Sequence, residues 1–193
     1  MQINFHLNNA AKDYFTRFYC ILDEMIQGMT EVELTGSISH NFIVQMIPHH
    51  RAAVEMSKNI LNYTSFPPLK KIASQIVSEQ TQGIEDMKNI LCECETQINS
   101  DQDLFLYQRR IDQIMQTMFS SMGTSSYTNH LNISFIKEMI PHHEGAVKMS
   151  ENALMFCTCP ELIPILQSII TSQKRGIMQM QQLLKCSRQL MIS

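Results

Sequence analysis

The chain has 193 residues, enough for one large domain or two small ones with a sizeable core. Its 15 Lys and Arg nearly balance 18 Asp and Glu, so it has neither the basic surface typical of nucleic-acid binding nor an acidic tail. Gly and Pro are scarce, at six each, which favours long helices, and the 15 Met are the unusual feature. Met is both a flexible core filler and a soft metal ligand, so composition leaves its role open.

Apolar residues at helical spacing predict three helices in each half of the chain, with capping and proline signals between them. The first half is expected to have helices over about 10–31, from Ser37 or Ser39 to about 63, and from Pro67 or Pro68 to about 97. The second half is expected to have them over about 102–123, 130–156 and 161–190. No segment alternates with period two for long, so the fold class is all-α.

The N-terminus lacks a basic run followed by an apolar segment, and no stretch is apolar enough to span a membrane. The sequence therefore predicts a cytoplasmic protein, although export of a trimmed form stays open. In a reducing cytoplasm its six Cys are expected to be free thiols. Two Cys-x-Cys pairs, Cys92/Cys94 and Cys157/Cys159, could hold a soft metal, but surface thiols are favoured over that reading.

The chain is an internal repeat with a shift of 93 residues. Residues 42–61 (FIVQMIPHHRAAVEMSKNIL) fall on 135–154 (FIKEMIPHHEGAVKMSENAL), with 13 of 20 positions identical. Five Met pairs recur, which accounts for ten of the 15 Met. We expect two tandem three-helix repeats, 1–98 and 101–193, which form one compact bundle about a pseudo-twofold axis.

The repeated Met-x-x-His-His motif lies on one face of its helix. At about 100° per residue, Met46 lies between His49 and His50, and these are the side chains that can converge on one ion. Met56 follows His49 by seven residues and therefore lies about 10.5 Å from it along the helix axis. We expect Met56 to have a partner on a neighbouring helix, such as Met87. Pro48 either kinks the helix and holds the site open or merely lies in an early turn.

Ligand type favours copper, because His and Met on one face with few carboxylates suit Cu(I) or Cu(II). A di-iron bundle would use Glu-x-x-His motifs on its helices. Glu138 precedes His142 by four residues, but its counterpart in the first half is Gln45. Zinc would need a closed set of Cys and His, so zinc and iron are less favoured.

These residues resemble the family catalogued as domain of unknown function 305, whose pattern is Phe-x-x-x-Met-Ile-x-His-His-x-x-Ala-x-x-Met followed by Gln-x-x-Glu-Ile-x-x-Met. The resemblance covers both halves and implies a ferritin-like helical bundle that binds copper. It implies as ligands Met46, His49, His50, Met56 and Met87, with Met139, His142, His143, Met149 and Met180 in the second half, and Gln80 and Gln173 beside them. The chain departs from the pattern where Gly83 and Gly176 replace the Glu, and where Ser39 and Asn132 replace an acidic residue.

The function predicted first is a copper-binding protein that sequesters or passes on the ion and is not an enzyme. Its expected partners are the metal ion and, beyond it, a second copy of the chain or a copper donor or acceptor protein, with neither nucleic acid nor membrane. An alternative is a helical interaction module whose Met and His face is only packing. A metal-dependent oxidoreductase is the weakest alternative, because no nucleophile, general base or cofactor loop is evident.

Overall fold

In a computed structural model, the described residues, 7–123 and 128–186, form six helices and no strand. The helices are α1 (Asn9–Thr30), α2 (Ile38–Leu61), α3 (Pro67–Glu95), α4 (Asp101–Met122), α5 (Leu131–Ala153) and α6 (Leu162–Lys185). The all-α prediction is confirmed. None of these helices combines the length and the apolar character that a membrane span needs.

The helix ends follow the predicted caps within a few residues. Ser37 caps α2, since its side chain accepts a hydrogen bond from the amide of His40. Helix α5 ends earlier than predicted because the chain tightens into a turn, in which the amide of Phe156 donates to the carbonyl of Ala153. Helix α6 ends at Lys185 with Cys186 as its C-cap, and positions 187–190 of its predicted length lie outside the described residues.

Helices α2 and α5 lie against each other at the centre, and each packs on the first and third helix of its own half. The third helices, α3 and α6, also pack together. Equivalent hydrogen bonds recur in both halves: Asn59 Nδ2 donates to the carbonyl of Tyr14 at 3.0 Å, and Asn152 Nδ2 donates to that of Tyr107 at 3.3 Å. The halves are therefore related by a pseudo-twofold axis that passes between α2 and α5. The ferritin-like topology that the resemblance implies stays a prediction.

The ten Met that recur between the halves lie in the core, each with no more than 3 % of its surface exposed. Two Met without a repeat partner, Met155 and Met178, are instead more than 60 % exposed. Met115, whose counterpart is Leu22, is also buried, so burial is not confined to the repeated Met. The burial of the repeated Met is consistent both with packing and with a buried metal site.

The expectation of free thiols is wrong at two positions, because Cys94 and Cys159 form a disulfide with a Cα–Cα distance of 5.4 Å. The end of α3 and the segment between α5 and α6 meet here, and Asn99 Nδ2 donates to the carbonyl of Cys157 at 2.7 Å. Both bonded cysteines are buried. The remaining described cysteines, Cys20, Cys92, Cys157 and Cys186, are free and exposed.

Candidate metal site

The two His pairs lie in the middle of the bundle, where α2 and α5 face each other. His49 and His142 have no exposed surface, and His50 and His143 are 2 % exposed. Within each pair the rings diverge, with centroids 5.9 Å apart and tilted by 50° in the first half and 56° in the second. Side chains at adjacent helix positions point about 100° apart, so the two rings of each pair point in different directions.

His49 and His142 meet at the pseudo-twofold axis. Their rings stack with centroids 3.7 Å apart and an interplanar angle of 29°. The Nε2 of His49 lies 3.2 Å from the carbonyl oxygen of His142, and the Nε2 of His142 lies 3.1 Å from that of His49. The predicted cluster therefore spans both halves of the repeat.

These contacts fix which ring nitrogen carries the proton. A carbonyl oxygen can only accept, so Nε2 is the donor in both rings and Nδ1 keeps its lone pair. The Nδ1 atoms of His49 and His142 are buried and have no hydrogen-bond partner. Two unpartnered nitrogen acceptors therefore lie within the core, where such groups normally have partners. The Nδ1 atom of His50 is buried and without a partner as well.

Burial keeps these imidazoles neutral. Desolvation is the main cause that lowers the pKa of His50 to about 3 and that of His142 to about 4. Desolvation also holds the pKa of His49 and that of His143 well below the ordinary value, and the neighbouring histidines lower them further. Neutral imidazole is the form that binds metal ions.

His50 and His143 point toward the third helices, where two glycines make room for them. A Cβ added at Gly83 would lie 3.1 Å from Cδ2 of His50, and one added at Gly176 would lie 2.9 Å from Cδ2 of His143. The family pattern has Glu here. The glycines thus replace a carboxylate with space for an imidazole ring.

Pro48 lies inside α2 and not in its first turn, so the early-turn interpretation is wrong. It faces α1, where a Cβ added at Gly28 would lie 2.9 Å from Cβ of Pro48. Because proline lacks an amide hydrogen, the carbonyl of Val44 has no helical donor at this point. A role in holding the site open stays a prediction.

The predicted Met and Gln ligands lie in the same core. Met46, Met56 and Met87 are at most 1 % exposed, and so are their counterparts Met139, Met149 and Met180. Gln80 and Gln173 are buried and their Oε1 atoms have no partner. Among the described residues, no three His, Cys, Asp or Glu side chains converge where an ion would fit, so Met sulfurs would have to complete any site.

The sequence analysis missed a role for Glu138, which is 1 % exposed. Tyr14 of the other half donates its hydroxyl to Oε2 of Glu138 at 3.0 Å, while Oε1 has no partner. Burial raises the pKa of Glu138 to about 8, although the bond from Tyr14 opposes this. The corresponding residues, Gln45 and Tyr107, are also buried, and Gln45 Oε1 and the Tyr107 hydroxyl have no partner. The sequence held one signal for this site: Tyr14 and Tyr107 occupy corresponding positions of the repeat.

The sequence profile of the family described as domain of unknown function (DUF305) matches residues 39–184, which include both motifs. The chain belongs to this family. A curated relative, the uncharacterized protein L153 of Acanthamoeba polyphaga mimivirus, is 46 % identical over 48 residues, or 25 % of this chain. The aligned part spans 32 % of the viral protein.

Solved structures of similar fold include CopM in a silver-bound form obtained by soaking. It is 28 % identical, with a TM-score of 0.57, and the match covers 80 % of this DUF305 chain and 97 % of that one. Silver-bound CopM obtained by co-crystallisation is 29 % identical, with a TM-score of 0.55, and the match covers 76 % of this chain and 95 % of that one. A DUF305 fragment from Deinococcus radiodurans is 20 % identical, with a TM-score of 0.56 and coverage of 77 % and 95 %, which supports the fold alone.

Proposed function

We propose that this protein binds copper, principally as Cu(I), and stores or passes on the ion without catalysing a reaction. The observation that carries the proposal is the set of four buried, neutral histidines at the centre of the bundle, in which the Nδ1 lone pairs of His49 and His142 have no partner. Such orphaned acceptors call for an explanation, and a bound cation supplies one. Silver-bound CopM adds support, since silver(I), like Cu(I), is a soft monovalent ion.

The chemistry of the donors favours copper over zinc or iron. Thioether and imidazole groups suit Cu(I), whereas structural zinc takes four Cys or His and iron in bundles takes carboxylates. We assign Met46, His49 and His50 as ligands in the first half, with Met139, His142 and His143 in the second. The bound ion would supply no chemistry beyond its own storage and transfer. The protein would contribute dry, neutral donors that keep water away.

A second candidate function is a helical interaction module in which the histidines only pack the halves together. The observation in its favour is that His49 and His142 already stack and bond to each other's carbonyls. That contact would remain useful to the fold without any ion.

A double substitution of the Met ligands separates copper binding from packing. Met46→Leu with Met139→Leu keeps the core volume but removes two sulfurs, so the free energy of unfolding should change little. Apoprotein should take up Cu(I) from a chromophoric chelator, and this variant should lose about tenfold or more in affinity. His49→Ala with His142→Ala should abolish retention, while His130→Ala, outside the site, should retain it.

Circular dichroism and thermal melting would accompany each measurement, so that an unfolded variant is not mistaken for one that lacks ligands. Full retention of Cu(I) by a folded His49→Ala/His142→Ala variant would contradict the copper proposal. Failure of copper to raise the melting temperature of the wild type would favour the packing function instead.

A further inference from the structure

Two clefts lie between α3 and α6, and they are related by the repeat. The first borders His50 and Gly83 and has a volume of about 500 Å³. The second borders His143 and Gly176, the corresponding residues of the other half, and has a volume of about 10 Å³. The bundle is therefore open beside one histidine and closed beside its counterpart.

The difference accompanies one pair of side chains that correspond under the repeat. Gln75 on α3 borders only the closed cleft, and its Nε2 donates to Oε1 of Glu79 at 2.7 Å. Ser168 on α6 holds the corresponding position and borders only the open cleft. Glu79 and Ser172 border both clefts, and Arg175, which borders the open cleft and bonds to Glu79, ties α6 to α3. A long, hydrogen-bonded side chain thus occupies one cleft, where a serine leaves the other open.

The open cleft has polar walls, and Arg175, the one Lys or Arg among the described residues that border it, is paired with the carboxylate of Glu79. Gln80 and Gln173, whose buried Oε1 atoms have no partner, border this cleft and the closed one. Asp86 also borders the open cleft, and this carboxylate accepts a hydrogen bond at 2.8 Å from Gln82, a neutral side chain. Oxygen donors therefore line the path from solvent to the His50 ring, which is itself only 2 % exposed.

We infer that this cleft is the route by which a soft metal ion enters and leaves the buried site, and that exchange takes place at His50 and not at His143. The inference rests on the proposed function. It adds to that function a difference between His50 and His143, although the two motifs are alike in sequence. His143 then receives its ion through the core.

The test fills each cleft in turn with a large side chain. Ser168→Trp fills the open cleft, and Gln75→Trp is the matched control on the closed side. Cu(I) is transferred from a chromophoric chelator to each apoprotein, and the rate is followed by absorbance. Ser168→Trp should slow transfer by about tenfold or more at unchanged final stoichiometry, whereas Gln75→Trp should match the wild type.

A second variant avoids the bulk of Trp. Ser168→Gln places in the open cleft the side chain that the corresponding position, Gln75, carries in the closed one, and it should also slow transfer. Wild-type rates in both folded variants would overturn the route and leave copper binding intact. A reduced stoichiometry would overturn it too, because the cleft would then hold the ion. If the wild type itself takes up no Cu(I), the proposed function fails instead.

Discussion

His49 and His142 each donate a ring N–H to the other's main-chain carbonyl, so the two halves are bonded through the same residues that we assign as ligands. Replacing either ring leaves a cavity at the axis and removes the side-chain donor from one helical carbonyl. We expect His49→Ala and His142→Ala each to lower the free energy of unfolding of the apoprotein by about 2–4 kcal/mol. Urea denaturation measures this. Because the rings touch, the double variant should deviate from additivity by about 1 kcal/mol; strict additivity would argue against the stacked contact.

Ala at Gly83 or Gly176 should destabilise the protein, although Ala favours helices by about 1 kcal/mol over Gly. The added Cβ would press on the ring of His50 or His143, and such overpacking costs about 1–3 kcal/mol. Gly176→Ala should be the worse of the two, since its contact is closer. Gly123→Ala is the control, because its nearest neighbour would lie 3.6 Å away. Thermal melting of the three variants should rank them in that order; a stabilised Gly176→Ala would contradict the described ring position.

Removing the disulfide should lower stability substantially. Cys94 and Cys159 are separated by 65 residues in sequence, and closing a loop of that length contributes about 4 kcal/mol in the chain-entropy treatment. Cys94→Ser with Cys159→Ser should therefore lower the denaturation midpoint, whereas Cys20→Ser should not. Equal midpoints under reducing and oxidising conditions would contradict the bond. Disulfides persist in oxidising compartments, so the redox state of this pair in cells also tests the predicted cytoplasmic location.

Glu138→Gln, which copies Gln45 of the first half, should flatten the loss of stability between about pH 4.5 and pH 8. The pKa of Glu138 is raised to about 8 in the folded protein, so its contribution is complete below the unfolded value, 4.5, and is lost as pH rises through 8. Relative to the variant, the wild type should lose up to about 1.4 kcal/mol per pH unit in that window. Denaturation of both apoproteins at pH 5, 7 and 9 gives the difference, and parallel curves would refute the buried acid.

The histidines act in the opposite direction. Their pKa values are lowered on folding, to about 3 for His50 and about 4 for His142, so the unfolded chain binds protons more readily below its ordinary value, 6.5. Stability of the apoprotein should therefore fall as pH decreases from 6.5 toward 4. Both wild type and Glu138→Gln should show this acid limb, which can be followed by circular dichroism. Its absence would indicate that the imidazoles are hydrated.

Periodicity and the repeat predicted what depends on nearby residues: six helices, a cap at Ser37 or Ser39 (Ser37 in the structure) and the shared face of Met46 and His49. The approximate angle between His49 and His50 was also available, because it follows from helix geometry. The contacts of each ring could not be predicted from the sequence, because they depend on how the helices cross. The bond from Tyr14 to Glu138 joins residues 124 apart, and the disulfide joins positions that the repeat does not relate. From the sequence, Gly83 and Gly176 could be interpreted only as positions where the family's Glu is missing. Their role in making room for the rings of His50 and His143 follows from the packing.

The pseudo-twofold axis between α2 and α5 has an evolutionary consequence. A chain of half this length could make the same central contact by pairing with a second copy of itself, its histidines meeting across a true twofold axis. In such a homodimer every substitution is made twice. Fusion of the two copies removes that constraint, so that Glu138 can face Tyr14 while Gln45 stays neutral, and Ser168 can remain small opposite Gln75. The two faces of the bundle are thereby free to differ.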